Sequence, residues 1–201
     1  MKILILGATG FLGSSLFSLA LAKRDLIVYG TSRYSNENPN IIQVDVTNKP
    51  SIEKTFKLLK PEVVIWSLMD GEKENVLIDM GLSNLLEVIQ AETKLIFLST
   101  DALFVGGRGD YIESDQPGLL PGDTPLSTYV NAKNRAENMI KNKHFNHVII
   151  RTGPLYGEDA NKNIEQRTQS IIKRIQEKQY IEAATNLYKT FVHVEDLSEY
   201  L

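Results

Sequence analysis

The sequence contains no cysteine in 201 residues. That removes disulfide bonds, thiolate metal sites and cysteine nucleophiles together, and it fits a reducing compartment such as the cytoplasm. Histidine is scarce too, limited to His144, His147 and His193. His144 and His147 fall between a loop and a strand start, which argues against a shared metal. Lysine and arginine are scattered and the net charge is −3, so there is no basic footprint for a nucleic acid or an anionic membrane. No apolar run approaches the length of a membrane span, and the opening MKILILG is too brief for a signal peptide's apolar core. A hydrophobic share of 42% with 23% charged residues is that of a soluble globular chain. The length suits one large domain with a substantial core.

Short apolar runs alternate with stretches of helical period. Ile3–Leu6, Leu26–Tyr29, Ile41–Val44, Val63–Trp66, Leu95–Leu98 and Val148–Ile150 read as buried strands, nearly continuous in Val, Ile and Leu. Between them, Phe11, Ser15, Leu16 and Leu19 share a helix face, as do Ile52, Phe56 and Leu59, and Leu82, Leu85, Leu86 and Ile89. Pro61 closes the second helix. This alternation predicts an α/β fold built on a doubly wound parallel sheet of Rossmann type. Residues 100–124 form one long loop rich in Gly, Pro and Asp, and a loop of that length in a compact domain usually serves a site.

GATGFLG at 7–13 follows the first strand as Gly-x-x-Gly-x-x-Gly. Gly7 suits the tight strand-to-helix turn, Gly10 lets a pyrophosphate approach the backbone, and Gly13 lets the helix pack close to the sheet. The helix N-terminus then offers N–H groups and a favourable dipole to an anion. The second strand ends Gly30-Thr31-Ser32-Arg33, where an acidic residue would bind a ribose 2′-hydroxyl. A guanidinium and two hydroxyls suit a 2′-phosphate instead, which predicts NADP (as NADPH) in preference to NAD. Asp45, in VDVTN, either bonds an adenine amino group or caps the helix that opens near Pro50.

Strand five ends KLIFLSTDALF and sets Ser99, Thr100 and Asp101 at the carboxyl edge of the sheet, where such folds bind ligands. Thr124-Pro125 then reads as an N-cap followed by proline at the first helical position. Within that helix, STYVNAK spaces Tyr129 and Lys133 one turn apart, so the two side chains converge on the same edge as Thr100. Chance produces such a pair often, and the spacing alone proves little.

Taken together, GATGFLG, DVTN, FLSTDALF, YIESD, Tyr129-x-x-x-Lys133 with RAE behind it, IIRTGPLYG and TFVHVEDL occur in order along almost the whole chain. In these the sequence resembles the extended short-chain dehydrogenase/reductase superfamily, and within it the dTDP-4-dehydrorhamnose reductase family of sugar-nucleotide reductases. The resemblance implies Tyr129 as general acid, Lys133 lowering the phenol's pKa and bonding the nicotinamide ribose, and Thr100 donating to the carbonyl oxygen. It implies a cofactor cradle of Gly7, Thr9, Gly10, Phe11, Leu12, Gly13, Thr31, Ser32, Arg33, Asp45, Val46, Tyr129, Lys133 and Thr152, with the backbone of 152–155 meeting the nicotinamide amide. Asp101 either orients substrate or caps its loop, and Glu113 and Asp115 are assigned to loop structure.

The implied activity is NADP-dependent reduction of a keto group on a nucleotide sugar, in the cytoplasm, with no metal, no nucleic acid and no membrane partner, and with a homodimer left open. Two alternatives stand beside it: a nucleotide-sugar epimerase or dehydratase, and a non-catalytic cofactor-binding regulatory subunit. The chain departs from the family at Trp66-Ser67-Leu68-Met69, bulkier than usual beside the cofactor, and at Val130 and Ala132 in the active-site helix. Residues 1–201 read as one dinucleotide-binding domain, with 152–201 beginning a substrate-binding portion. The family continues past TFVHVEDL into a helical substrate lobe, which is expected to be missing or truncated in a sequence ending at Leu201.

Overall fold

The structure is a computed structural model, and it describes residues 1–183, 185, 186 and 188–201. The six apolar runs form six parallel strands: β1 (Lys2–Leu6), β2 (Ile27–Ser32), β3 (Ile41–Gln43), β4 (Val63–Trp66), β5 (Lys94–Thr100) and β6 (His147–Thr152). Their spatial order is β3-β2-β1-β4-β5-β6. The order therefore reverses between β1 and β4, and the crevice beyond their carboxyl ends is where an open sheet of this kind takes its ligand.

Side chains along each strand alternate between two cores. Leu4, Leu6, Val64 and Trp66 join one cluster; Ile3, Ile5, Val63 and Ile65 join the other. Both faces are covered, which is why the strands read as unbroken apolar runs. The first cluster is closed by α2 (Lys49–Leu59), α4 (Ser83–Val88) and α5 (Pro125–Lys143) through Ile52, Phe56, Leu85, Ala132, Ala136 and Ile140. The second is closed by α1 (Phe11–Leu21) and α7 (Val194–Tyr200) through Leu12, Leu16, Phe17, Val194 and Leu197.

Three features were not anticipated from sequence. The helix expected over 82–89 begins earlier, at α3 (Glu74–Val76), and reaches α4 through a π-helical segment, Leu77–Leu82. There Gly81 packs so close that a Cβ would stand 2.8 Å from Val46. Near the carboxyl end, β7 (Leu155–Tyr156) and β8 (Val192–His193) pair as a small parallel sheet. Between them α6 (Gln166–Gln176) buries none of its residues.

The long loop is held by side chains of α5 and β6. Thr124 caps α5 reciprocally with Ser127, and Asn131 bonds both the N–H and the carbonyl of Leu120 at 2.9 Å. Behind this lies a buried clamp. Glu137 accepts from Arg151 at 2.9 and 2.7 Å and from the Ser99 hydroxyl at 2.7 Å, joining α5, β6 and β5. Arg151 continues to the backbone carbonyl of Asp115 and stacks over the Phe104 ring.

Burial works against the Glu137 carboxylate, but Arg151, Ser99 and Lys141 outweigh it and hold its carboxyl below the ordinary value of 4.5. Its contribution to stability is therefore full above that ordinary value and fades as pH falls through the depressed one. Glu137→Gln leaves the Arg151 guanidinium with no anion and is expected to cost about 3–5 kcal/mol. Urea unfolding of the two proteins at neutral pH measures it. Equal midpoints would show that the clamp contributes nothing.

Candidate active site

The glycine turn occupies the crevice at the switch point. Gly7 sits at φ +90°, a left-handed conformation that suits glycine. A Cβ on Gly13 would lie 2.0 Å from the Gly7 carbonyl oxygen, so only glycine lets α1 start this close to β1. Gly10 is the N-cap of α1 and carries no capping side chain. The first-turn N–H groups therefore face outward without a side-chain acceptor, which fits an anion at that position. The turn is braced from behind: Thr31 Oγ1 accepts the Gly7 N–H at 3.2 Å, and Ser67 Oγ donates to the Leu6 carbonyl at 2.7 Å. Leu68 packs directly on Gly7, while Met69 points out with 69% of its surface exposed. These features fit the pyrophosphate of a dinucleotide.

Beyond the turn, Thr31 and Ser32 are both buried. Thr31 faces the glycine loop, and its hydroxyl braces that loop by accepting the Gly7 N–H. Ser32 Oγ accepts the Tyr34 N–H and stands 3.5 Å from the Thr9 hydroxyl. Arg33 is half exposed, with its guanidinium 3.7 Å from the Asp70 carboxylate. A cavity of about 200 Å³ opens beside it, lined by Arg33, Asp45, Thr47, Asp70 and Lys73 over an apolar floor of Val76 and Leu77. Asp45 does not cap α2; Asn48 does, accepting the Ser51 N–H. The Asp45 carboxylate instead binds the Thr47 hydroxyl at 2.7 Å, and that bond leads the causes holding its carboxyl below the ordinary value. A larger cavity, about 400 Å³, lies at the opposite edge of the sheet around Phe56, Pro61 and Thr93, and no candidate residue lines it.

At the chemical end, β5 and β6 run in register so that Thr100 and Thr152 end side by side at the carboxyl edge. Thr100 Oγ1 accepts the Ala102 N–H and caps a single 3₁₀ turn, Asp101–Leu103. Tyr129 projects from α5 toward Thr100. Burial is the main reason its phenol is pushed up to about 12; the Glu74 carboxylate adds to the rise, the Thr100 hydroxyl opposes it, and Asp101 adds again.

The resemblance implied that Lys133 lowers the phenol; here burial and the Glu74 and Asp101 carboxylates set a net upward direction. Only 2% of Lys133 is exposed, its ammonium donates to the Leu98 carbonyl at 3.1 Å, and Glu74 Oε1 lies 3.1 Å away. Burial draws the lysine below its ordinary pKa, against the opposing pull of Glu74. The Phe97 and Tyr129 rings face the same ammonium at 4.8 and 5.7 Å.

The arrangement thus sets a cradle for a pyrophosphate at one end of the crevice and a protonated phenol with a hydroxyl neighbour at the other. A profile of the NAD-dependent epimerase/dehydratase family matches residues 3–201. The chain belongs to that family. As a member it is an enzyme of NAD(P)-dependent oxidoreductase type in the extended short-chain dehydrogenase/reductase superfamily. A sequence comparison with curated proteins finds none that matches.

Solved structures of this superfamily superpose over nearly the whole chain. A dTDP-4-dehydrorhamnose reductase, an RfbD ortholog of Clostridium acetobutylicum, is 25% identical with a TM-score of 0.78, over 100% of this chain and 68% of that one. The enzyme WbmH of Bordetella bronchiseptica, in complex with NAD⁺, is 19% identical with a TM-score of 0.80, over 99% and 70%. UDP-glucuronic acid 4-epimerase of Bacillus cereus, in complex with UDP-glucuronic acid and NAD, is 21% identical with a TM-score of 0.77, over 98% and 71%.

The remaining members of the epimerase/dehydratase pattern fall as follows. Phe11 and Leu12 open α1, and Val46 is buried against Gly81. Thr152 donates to the Gly153 carbonyl, and Gly153 meets the Thr190 backbone so closely that a Cβ would stand 1.8 Å from its oxygen. Trp66 is core. Asp115 serves its loop, accepting the Ile112 N–H, and the Glu113 carbonyl lies 3.5 Å from Arg151. Among the described residues no His, Cys, Asp and Glu cluster could hold a metal, and no helix is long and apolar enough to cross a membrane. Sequence reasoning missed Asp70, Lys73 and Glu74. They sit in a charged run, DGEKE, that reads as a solvated turn, and nothing local signals that Glu74 is buried.

Proposed function

We propose that this enzyme reduces a keto group on a nucleotide sugar, with NADPH as the preferred cofactor. The observation that carries the reading is Tyr129: a phenol held in its neutral form beside the Thr100 hydroxyl, at the edge where the sheet takes its ligand. Reduction of a ketone builds negative charge on its oxygen, which needs a proton and a hydrogen-bond donor in the transition state. A reduced nicotinamide supplies the hydride when bound. Tyr129 gives the proton to the carbonyl oxygen, Thr100 donates a hydrogen bond to it, and Lys133 holds a ribose hydroxyl with the N–H that Leu98 and Glu74 leave over. Asp101, directly after Thr100, would orient the sugar. The likeness to the clostridial dTDP-4-dehydrorhamnose reductase supports this substrate class.

For the cofactor, the support lies in charge. The strand end that would carry a ribose-binding carboxylate carries Arg33, and Lys73 shares its cavity. Asp70 neutralises part of that charge across 3.7 Å. A 2′-phosphate would take over Arg33 as a stronger partner than a distant, half-solvated carboxylate. A second reading is an epimerase or dehydratase with the cofactor retained; Asp101 directly after Thr100 supports the dehydratase, and the UDP-glucuronic acid 4-epimerase likeness supports the epimerase.

Two outcomes are expected. NADPH binds more tightly than NADH by about tenfold or more, the worth of a charged hydrogen bond, and Arg33→Asp reverses the order. Calorimetric titration measures this, and equal affinities in the unmodified protein would sink the NADP reading. Tyr129→Phe keeps the ring's packing and removes the proton, so kcat should fall about 10²–10⁴-fold with the fold intact. Unchanged rates with a lowered melting temperature would make Tyr129 a structural residue.

A further inference from the structure

Glu74 touches neither substrate nor cofactor in the chemistry described so far, and its setting is unusual. It opens α3, is fully buried, and accepts the Asp70 N–H on Oε2 at 2.7 Å. Its other oxygen is ion-paired with the Lys133 ammonium at 3.1 Å and, among the described residues, has no hydrogen-bond partner. Burial disfavours the Lys133 ammonium, and the Glu74 carboxylate beside it opposes that. The ammonium carries three N–H donors. One goes to the Leu98 carbonyl and one is drawn to Glu74, which leaves one for a ligand.

We propose that Glu74 is a positioning residue of this site: it seats the Lys133 ammonium between Leu98 and Tyr129 with one N–H left for the cofactor ribose, and it keeps Tyr129 a neutral phenol that gives a proton. The inference rests on the reading of Tyr129 and Lys133 as the working pair. Its physical content is a balance of charges around one hydroxyl. Facing Tyr129 are Glu74 from α3, Asp101 from the turn after β5, and Lys133 from α5 itself, with the neutral Thr100 hydroxyl beside them. An ammonium alone would favour the phenolate and make Tyr129 a base. Two carboxylates against one ammonium favour the phenol. Glu74 thereby biases the site toward donating a proton to a ketone and away from abstracting one from an alcohol.

The bias can be read without turnover. Fluorotyrosine labelling of the whole chain brings phenol ionisation into a range where the fold persists, and fluorine NMR follows each residue. Tyr129→Phe assigns the Tyr129 signal among eight tyrosines. In the unmodified protein Tyr129 should titrate above the ordinary value of a free fluorotyrosine phenol. In Glu74→Gln its midpoint should drop by about one pH unit, a tenfold change in ionisation, with dinucleotide affinity about tenfold weaker.

Glu74→Asp keeps the charge but shortens the reach. It should hold the Tyr129 midpoint up while still weakening dinucleotide binding, and it decides the matter if the Gln variant fails to fold. An unchanged Tyr129 midpoint in Glu74→Gln would overturn the inference. So would an Asp variant that binds cofactor normally and yet loses the high midpoint. Should Tyr129→Phe retain full activity, the reductase reading fails, while the titration still reports on Glu74 alone.

Discussion

A lysine side chain buried to 2% exposure keeps its charge only if the surrounding protein answers it, and most of the site follows from how Lys133 is answered. The Leu98 carbonyl comes from β5, the Glu74 carboxylate from α3 and the aromatic walls from Phe97 and Tyr129. Meeting those partners ties three elements to one point. The π-helical segment after α3 is part of that fit. Glu74 of α3 points inward, while Asn75 of α3 and Asp79 of the π-helical segment grip Arg135 on the outside of α5. Irregular helical turns of this kind often mark working sites.

The second buried pair, Glu137 with Arg151, does for the loop what Glu74 does for the lysine. It anchors β5, α5 and β6 to one another and extends through Arg151 to the Asp115 carbonyl and the Phe104 ring. With Asn131 holding Leu120 and Ser127 bonding the Gly122 carbonyl, α5 presents one polar face to the loop. Lys133 and the apolar Ala132, Ala136 and Ile140 face inward. Tyr129 stands at the border of these faces, buried enough to resist ionisation and close enough to the sheet edge to meet a ligand.

Sequence disclosed what depends on local pattern. The strands are legible because both faces of the sheet are covered, and the glycine turn because Gly7 and Gly13 each satisfy a steric demand no other residue meets. Asn48 capping α2, where Asp45 was the candidate, is a shift of three residues between chemically equivalent caps. Thr31 turning inward depends on the depth of the β2 end, which a pattern of hydroxyls does not encode. Glu74 is the deeper omission. A charged run predicts solvent, and only the tertiary position of Lys133, 59 residues further on in the chain, pulls one member of that run inside. The same omission bears on Tyr129: Lys133 was expected to lower its phenol, and burial first, with the Glu74 carboxylate second, gives a net rise.

In the proposed reduction, the neutral Tyr129 phenol and the Thr100 hydroxyl supply the proton and the hydrogen bond that the ketone oxygen needs. The most direct measurement is cofactor stoichiometry: nicotinamide absorbance followed alongside product formation when the protein is given NADPH and a nucleotide-sugar ketone. A reductase oxidises one cofactor for each sugar converted. Sugar product formed with no net change in nicotinamide absorbance would contradict reduction and leave the epimerase reading in its place.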